Sequence, residues 1–207
     1  MTRTTDASTA RGRYRHRMSV SRTLARTYWR LSRWELRTEP FPDKSGLLVG
    51  APHTSNWDFV FMLAIAGEAG AKIRWLGKHT LFRGWRGPLM RRLGGIPVDR
   101  RDPAGVVDDV LAMVRSGEVV HLVVTPEGTR SGSGWKSGFY RIAREAGLPV
   151  TLGYVDRTTM TVGLGPTIEL TGDVRADMDT VRAFYADKAG FHPALRTEPR
   201  LAREEAA

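Results

Sequence analysis

Short apolar runs alternate with segments of helical spacing along most of this chain, and that alternation is the strongest limit on what it can fold into. Strands are expected near Leu47, at Ile73 to Leu76, near Ile96, at Glu118 to Val124, at Pro149 to Val155 and at Met160 to Leu170. Between and after them, helices are expected from about Trp57, at Trp85 to Leu93, at Pro103 to Arg115, at Phe139 to Ala146 and at Met178 to Ala189. The third of these is the clearest, with a proline in its first turn and Val106, Val107, Val110, Leu111 and Val114 on one helical stripe. The pattern predicts a single-domain α/β fold, a mainly parallel sheet flanked by helices, with ligands bound outside the carboxyl ends of the strands.

At 207 residues the chain is long enough to bury a sizeable core as one domain. Residues 1–18 are rich in Thr, Ser, Arg and Gly and read as a disordered basic tail, and residues 193–207 as a polar tail expected to fray. The domain is placed at 19–192 and opens with a basic amphipathic helix over Ser19 to Arg37. In that helix Val20, Leu24, Tyr28 and Leu31 share one face, while Arg22, Arg26, Arg30, Arg33 and Arg37 form a stripe on another. Up to Arg37 there are ten arginines against two acids, so this segment holds most of the formal net charge of +10. Such a helix can lie in a membrane interface with Trp29 and Trp34, or pack its apolar face on the domain.

The chemistry starts where the first apolar strand ends, in Pro52-His53-Thr54-Ser55-Asn56-Trp57-Asp58. A strand-to-helix turn can hold His53 and Asp58 together at one sheet edge. The imidazole can then take a proton from a substrate hydroxyl while the carboxylate holds the ring's other N–H and fixes its tautomer. This is a hydrolase triad without its serine, so the nucleophile must come from a substrate. A second polar loop, Thr125-Pro126-Glu127-Gly128-Thr129-Arg130-Ser131, follows the Glu118 to Val124 strand and offers backbone N–H groups, hydroxyls and a guanidinium to a phosphate. Between the two lies Leu93-Gly94-Gly95-Ile96-Pro97-Val98-Asp99-Arg100, a short strand that exits in an acid and a base.

In this order, with Leu148-Pro149-Val150-Thr151-Leu152 as a fourth block, these elements resemble the glycerolipid acyltransferase superfamily, the lysophosphatidate and glycerol-3-phosphate acyltransferases. The resemblance runs from Leu47 to Leu152, and the Thr-Ser-Asn-Trp filling is similar to that of a compact bacterial subgroup. Departures at Thr125, Pro97 and Leu152 fall around the acceptor and acyl pockets and bear on the substrate more than on the reaction. The resemblance implies an acyl-CoA or acyl carrier protein donor reacting directly, with no acyl-enzyme, no metal and no other cofactor, and a lysophospholipid acceptor such as lysophosphatidate. It makes His53 the general base and Asp58 its orienting partner. Arg100 and Arg130 are expected to grip a phosphate, which a planar guanidinium does through two oxygens. Glu127, Gly128 and Thr129 are expected to shape the acceptor pocket.

Rival readings lose ground residue by residue. The chain has no cysteine, which removes disulfides, thiolate metal sites and a cysteine acyl-enzyme. The stretch Gly128 to Ser137 imitates a nucleotide phosphate loop, but Trp135 stands where the glycine before Lys136 is needed, and Lys136 reads as a surface charge or lipid contact. No Gly-x-Ser-x-Gly elbow or His-Glu-x-x-His helix occurs. His121, inside a strand, reads as a core or sheet-face residue. The longest apolar run, Phe59 to Ala66, is far short of the roughly 20 residues a spanning helix takes, and Met1 to Ala10 lacks a signal-peptide core. The expected location is cytoplasmic and peripheral, on an anionic inner membrane face. Two other classes stay open, a catalytically reduced lipid-binding module and a basic nucleic-acid-binding protein. The second would need salt-sensitive DNA binding and no His53.

Overall fold

The computed structural model describes residues 22–98, 103–116, 121–128 and 134–205. The described chain runs α1 (22–31), β1 (Glu35–Leu36), β2 (Gly46–Ala51), α2 (Trp57–Ala69), β3 (Ile73–Lys78), a 3-10 turn (His79–Phe82) and α3 (Arg86–Arg92). It continues through β4 (Gly95–Val98), α4 (Pro103–Arg115), β5 (His121–Val124), α5 (Gly138–Ala146), β6 (Val150–Asp156), β7 (Thr161–Ile168) and α6 (Val174–Tyr185). The strands form one seven-stranded sheet in the order β1-β7-β6-β2-β5-β3-β4. All neighbours are parallel except β6 and β7, which run antiparallel. The α/β fold with a mainly parallel sheet is as expected.

Alternation of the pleat explains why the central strands are apolar throughout. Along β2, Leu47, Val49 and Ala51 enter a core shared with α4, α5 and α6, while Leu48 enters a second core with α2 and α3. Along β5, Leu122 and Val124 point with the first group and Val123 with the second. His121 is buried, edge-on to Phe41 at 4.8 Å between ring centres. Pro97, which has no N–H to give a ladder, sits in the edge strand β4.

Four sequence expectations need correction. The first helix does not reach Arg37: it ends at 31, and Glu35–Leu36 add a strand to the edge of β7. Pairing with Thr161 and Val162 outweighs the helical spacing there, and Trp34 instead stacks on Phe191 and lies tilted against Phe61. Its buried face is also rotated. Ala25 is buried and Tyr28 and Trp29 pack on Phe61 of α2, whereas Leu24 and Leu31 are 65% and 82% exposed. Arg22 and Arg26 reach across to Glu68 and Ala69 at the end of α2. The last helix starts at Val174 rather than Met178, because the Asp173 carboxylate caps it by accepting the Ala176 N–H.

The C-terminal segment, as far as it is described, packs back on the domain. Leu201 is 1% exposed in the larger core, and the Glu204 carboxylate pairs with Arg182 of α6. Leu201→Ala is therefore expected to cost about 2–5 kcal/mol, as a core leucine does, in a urea unfolding experiment. A loss under about 1 kcal/mol would show that this segment lies outside the cooperative unit. The proposed disordered tail over 1–18 lies outside the described residues, as does the start of the Glu118 to Val124 strand.

Candidate active site

β2 and β5 are parallel neighbours in register, Val49 opposite Val124, so the loops that leave them emerge side by side. The helix after β2 packs in the second core and the helix after β5 in the first, on opposite faces of the sheet. A crevice opens where two such connections diverge. Both sequence loops with chemistry in them lie at that point.

The first loop turns through a cis bond at Ala51–Pro52 and enters α2, whose first turn carries Asp58. Asp58 Oδ2 lies 3.0 Å from His53 Nδ1 and also accepts the Thr54 and Ser55 backbone N–H groups at 2.9 Å each. Three donors on one oxygen fix the carboxylate, and the carboxylate in turn holds the proton on Nδ1. Nε2 is then the basic nitrogen left for a substrate. The ring is 23% exposed, closed in but reachable.

The second loop supports the first from beneath. Glu127 is 3% exposed, and its Oε1 accepts the His53 backbone N–H at 3.0 Å. Burial pushes its carboxyl above the ordinary range, a shift partly offset by that N–H. Gly128 turns with φ of +66°, where a side chain is strained, and the Lys136 stem and ammonium lie 3.4–3.5 Å from where its Cβ would be. The Lys136 N–H also closes the loop onto the Pro126 carbonyl at 2.9 Å. Lys136 is exposed, as a surface charge would be, and its stem packs against Gly128 at the edge of the cleft. Thr129, Arg130 and Arg100 lie outside the described residues. β4 does end, at Val98, on the same edge of the sheet two strands from β5.

Two further supports have no signature in the sequence. Tyr185 of α6 is 1% exposed, its hydroxyl 2.8 Å from the Gly153 carbonyl and 3.2 Å from that of Val49. Burial, with Glu127 nearby, pushes its phenol well above the usual value, so it stays a neutral donor tying α6 to β2 and β6. On the other side, the His192 N–H donates to Thr54 Oγ1 at 3.0 Å. Gly190 makes that approach possible: a Cβ there would sit 3.1 Å from both Pro52 Cβ and Thr54 Oγ1.

His53, Asp58 and Gly128 line a cleft of about 590 Å³ that continues over the sheet between α2 and α3. Its walls are apolar, among them Leu48, Met62, Ile73, Trp75, Met90 and Val123. The volume is that of a small-molecule site, and the combination offers a proton acceptor at one end of a greasy channel. Glu127 is not among the wall residues.

The acyltransferase family profile matches residues 33–152, more than half the chain. The chain belongs to the acyltransferase family. It is an α/β acyltransferase whose matched segment contains the His53 loop, the second block and the Glu127 loop. The fold is similar to the crystal structure of the 1-acyl-sn-glycerophosphate (LPA) acyltransferase, PlsC, from Thermotoga maritima. The TM-score is 0.60 over 82% of this chain and 77% of that one, with 14% identity, so the likeness is one of fold. Comparison with curated proteins gives no match.

Proposed function

We propose that this acyltransferase moves a fatty acyl group from a thioester, acyl-CoA or acyl carrier protein, to a hydroxyl of a phosphate-bearing glycerolipid such as lysophosphatidate. The observation that carries the reading is the His53–Asp58 contact of 3.0 Å at the polar end of the apolar cleft. His53 Nε2 takes the hydroxyl proton as that oxygen attacks the thioester carbonyl. The carbon–sulfur bond then breaks, the thiolate leaves, and the proton on His53 passes to it, giving ester and free thiol. Asp58 orients the ring and stabilises its protonated form. Glu127 holds the main chain of His53 in place, a supporting role rather than a contact with the acceptor. Lys136 and Arg130 supply positive charge for the acceptor phosphate, with Arg100 as a third contributor.

Thiol release from an acyl thioester, followed with and without lysophosphatidate, tests this directly. Release is expected to depend on the acceptor and to yield an ester. Hydrolysis indifferent to acceptor, or no release at all, would favour a thioesterase or the catalytically reduced lipid-binding module. Arg130→Lys is expected to raise the KM for lysophosphatidate by about tenfold with little change in kcat, because lysine keeps the charge and loses the planar fork. An unchanged KM would place the phosphate elsewhere. Among the described residues no helix is long and apolar enough to cross a membrane.

A further inference from the structure

The rim of the cleft is both basic and apolar. From Ala71 to Val98 the chain has seven lysines and arginines and no acid. Within that stretch the 3-10 turn, the start of α3 and α3 itself leave Leu81 47%, Trp85 80% and Leu89 47% exposed. All three also line the cleft, so they form its lip. The Arg86 guanidinium stands 5.3 Å over the Trp85 ring, and Arg83 and Arg92 are exposed beside them. One exposed leucine is ordinary, but three large apolar groups on one lip among cations mark a surface made to be covered.

We propose that the acyltransferase docks on an anionic lipid surface through the Leu81–Trp85–Leu89 lip, with Arg83, Arg86 and Arg92 against the headgroups, so that the cleft opens directly into the bilayer interface. The excess of positive charge selects an anionic partner. The apolar lip selects a bilayer over an acidic protein, since tryptophan and leucine on a cationic edge settle at the boundary between headgroups and acyl chains. Continuity with the cleft gives a one-chain acceptor a dry path to His53. α1 also exposes Leu24 and Leu31, but neither lines the cleft, and its Ala25, Tyr28 and Trp29 are used in packing while Arg22 and Arg26 are engaged with α2. The inference rests on the reading of a lipid acceptor, but docking is measured without turnover.

The test is co-sedimentation of the full chain, without donor, with phosphatidylcholine vesicles and with vesicles containing phosphatidylglycerol, at low and high salt. The parent protein is expected to bind the anionic vesicles and to release as salt rises. Arg83→Ser with Arg92→Ser is expected to lower partition about fivefold per arginine. Leu81→Ser with Trp85→Ser is expected to lower it at least as much on anionic vesicles. Far-UV circular dichroism checks that each pair folds, and the exposed arginine pair decides the matter if the apolar pair does not. The proposal is overturned if both folded pairs sediment like the parent, if binding ignores lipid charge, or if the protein binds an acidic carrier protein and no vesicles. A protein that docks through this lip yet transfers no acyl group would uphold the docking and refute the reaction proposed for His53.

Discussion

His53→Ala is expected to lower kcat/KM for acyl transfer by about a hundredfold to ten-thousandfold, the range a positioned general base supplies. The substitution removes a partly exposed ring and no core volume, so the thermal midpoint should move by only a few degrees. The loss should appear in kcat, since the ring acts on the proton in flight and contributes little to holding the thioester. Single-turnover thiol release measures it without interference from product release. A folded His53→Ala protein with near-parental turnover would remove the base from the mechanism.

Asp58→Asn is expected to cost about a hundredfold or more in kcat with KM for the donor little changed. Asparagine keeps an oxygen for the Thr54 and Ser55 N–H groups, so the turn should hold. What it loses is charge: a neutral amide oxygen no longer stabilises the imidazolium that forms as the hydroxyl is deprotonated. If the amide flips, its NH2 meets Nδ1 and forces the proton to Nε2, which disables the base altogether. Asp58→Ala is the harsher comparison, because it also strands two buried N–H groups. Equal activity in the Asn variant and the parent would show that the 3.0 Å contact is structural only.

The interior of the fold was legible because its signals are local. β2 and β5 are short apolar runs, α4 begins at a proline, and each signal lies within the element it specifies. Elements whose form depends on a distant neighbour were not. Glu35–Leu36 become a strand only because β7 offers a free edge, and the face of α1 is set by Phe61, which lies thirty-odd residues away. The same division runs through the site. His53 and Asp58 were found because a strand, a turn and a helix start bring them together within seven residues of sequence. Glu127 was found as a loop residue, but its hold on the His53 N–H, 74 positions away, follows from the pairing of β2 with β5. Tyr185 carries no motif, and only packing reveals it. The charge of the Ala71 to Val98 stretch was readable in principle and was overshadowed by the arginines of the first 37 residues.

The supports from α6 and beyond set the size of the working unit. The segment matched by the family profile stops at 152, yet the strand carrying His53 is tied down by Tyr185, its loop is backed by His192, and the core beneath closes on Leu201. A fragment trimmed to the matched residues would contain the named motifs without the frame that aligns them. Anyone grafting this site onto another scaffold, or swapping its blocks with those of a relative, has to move the residues after 152 along with those before.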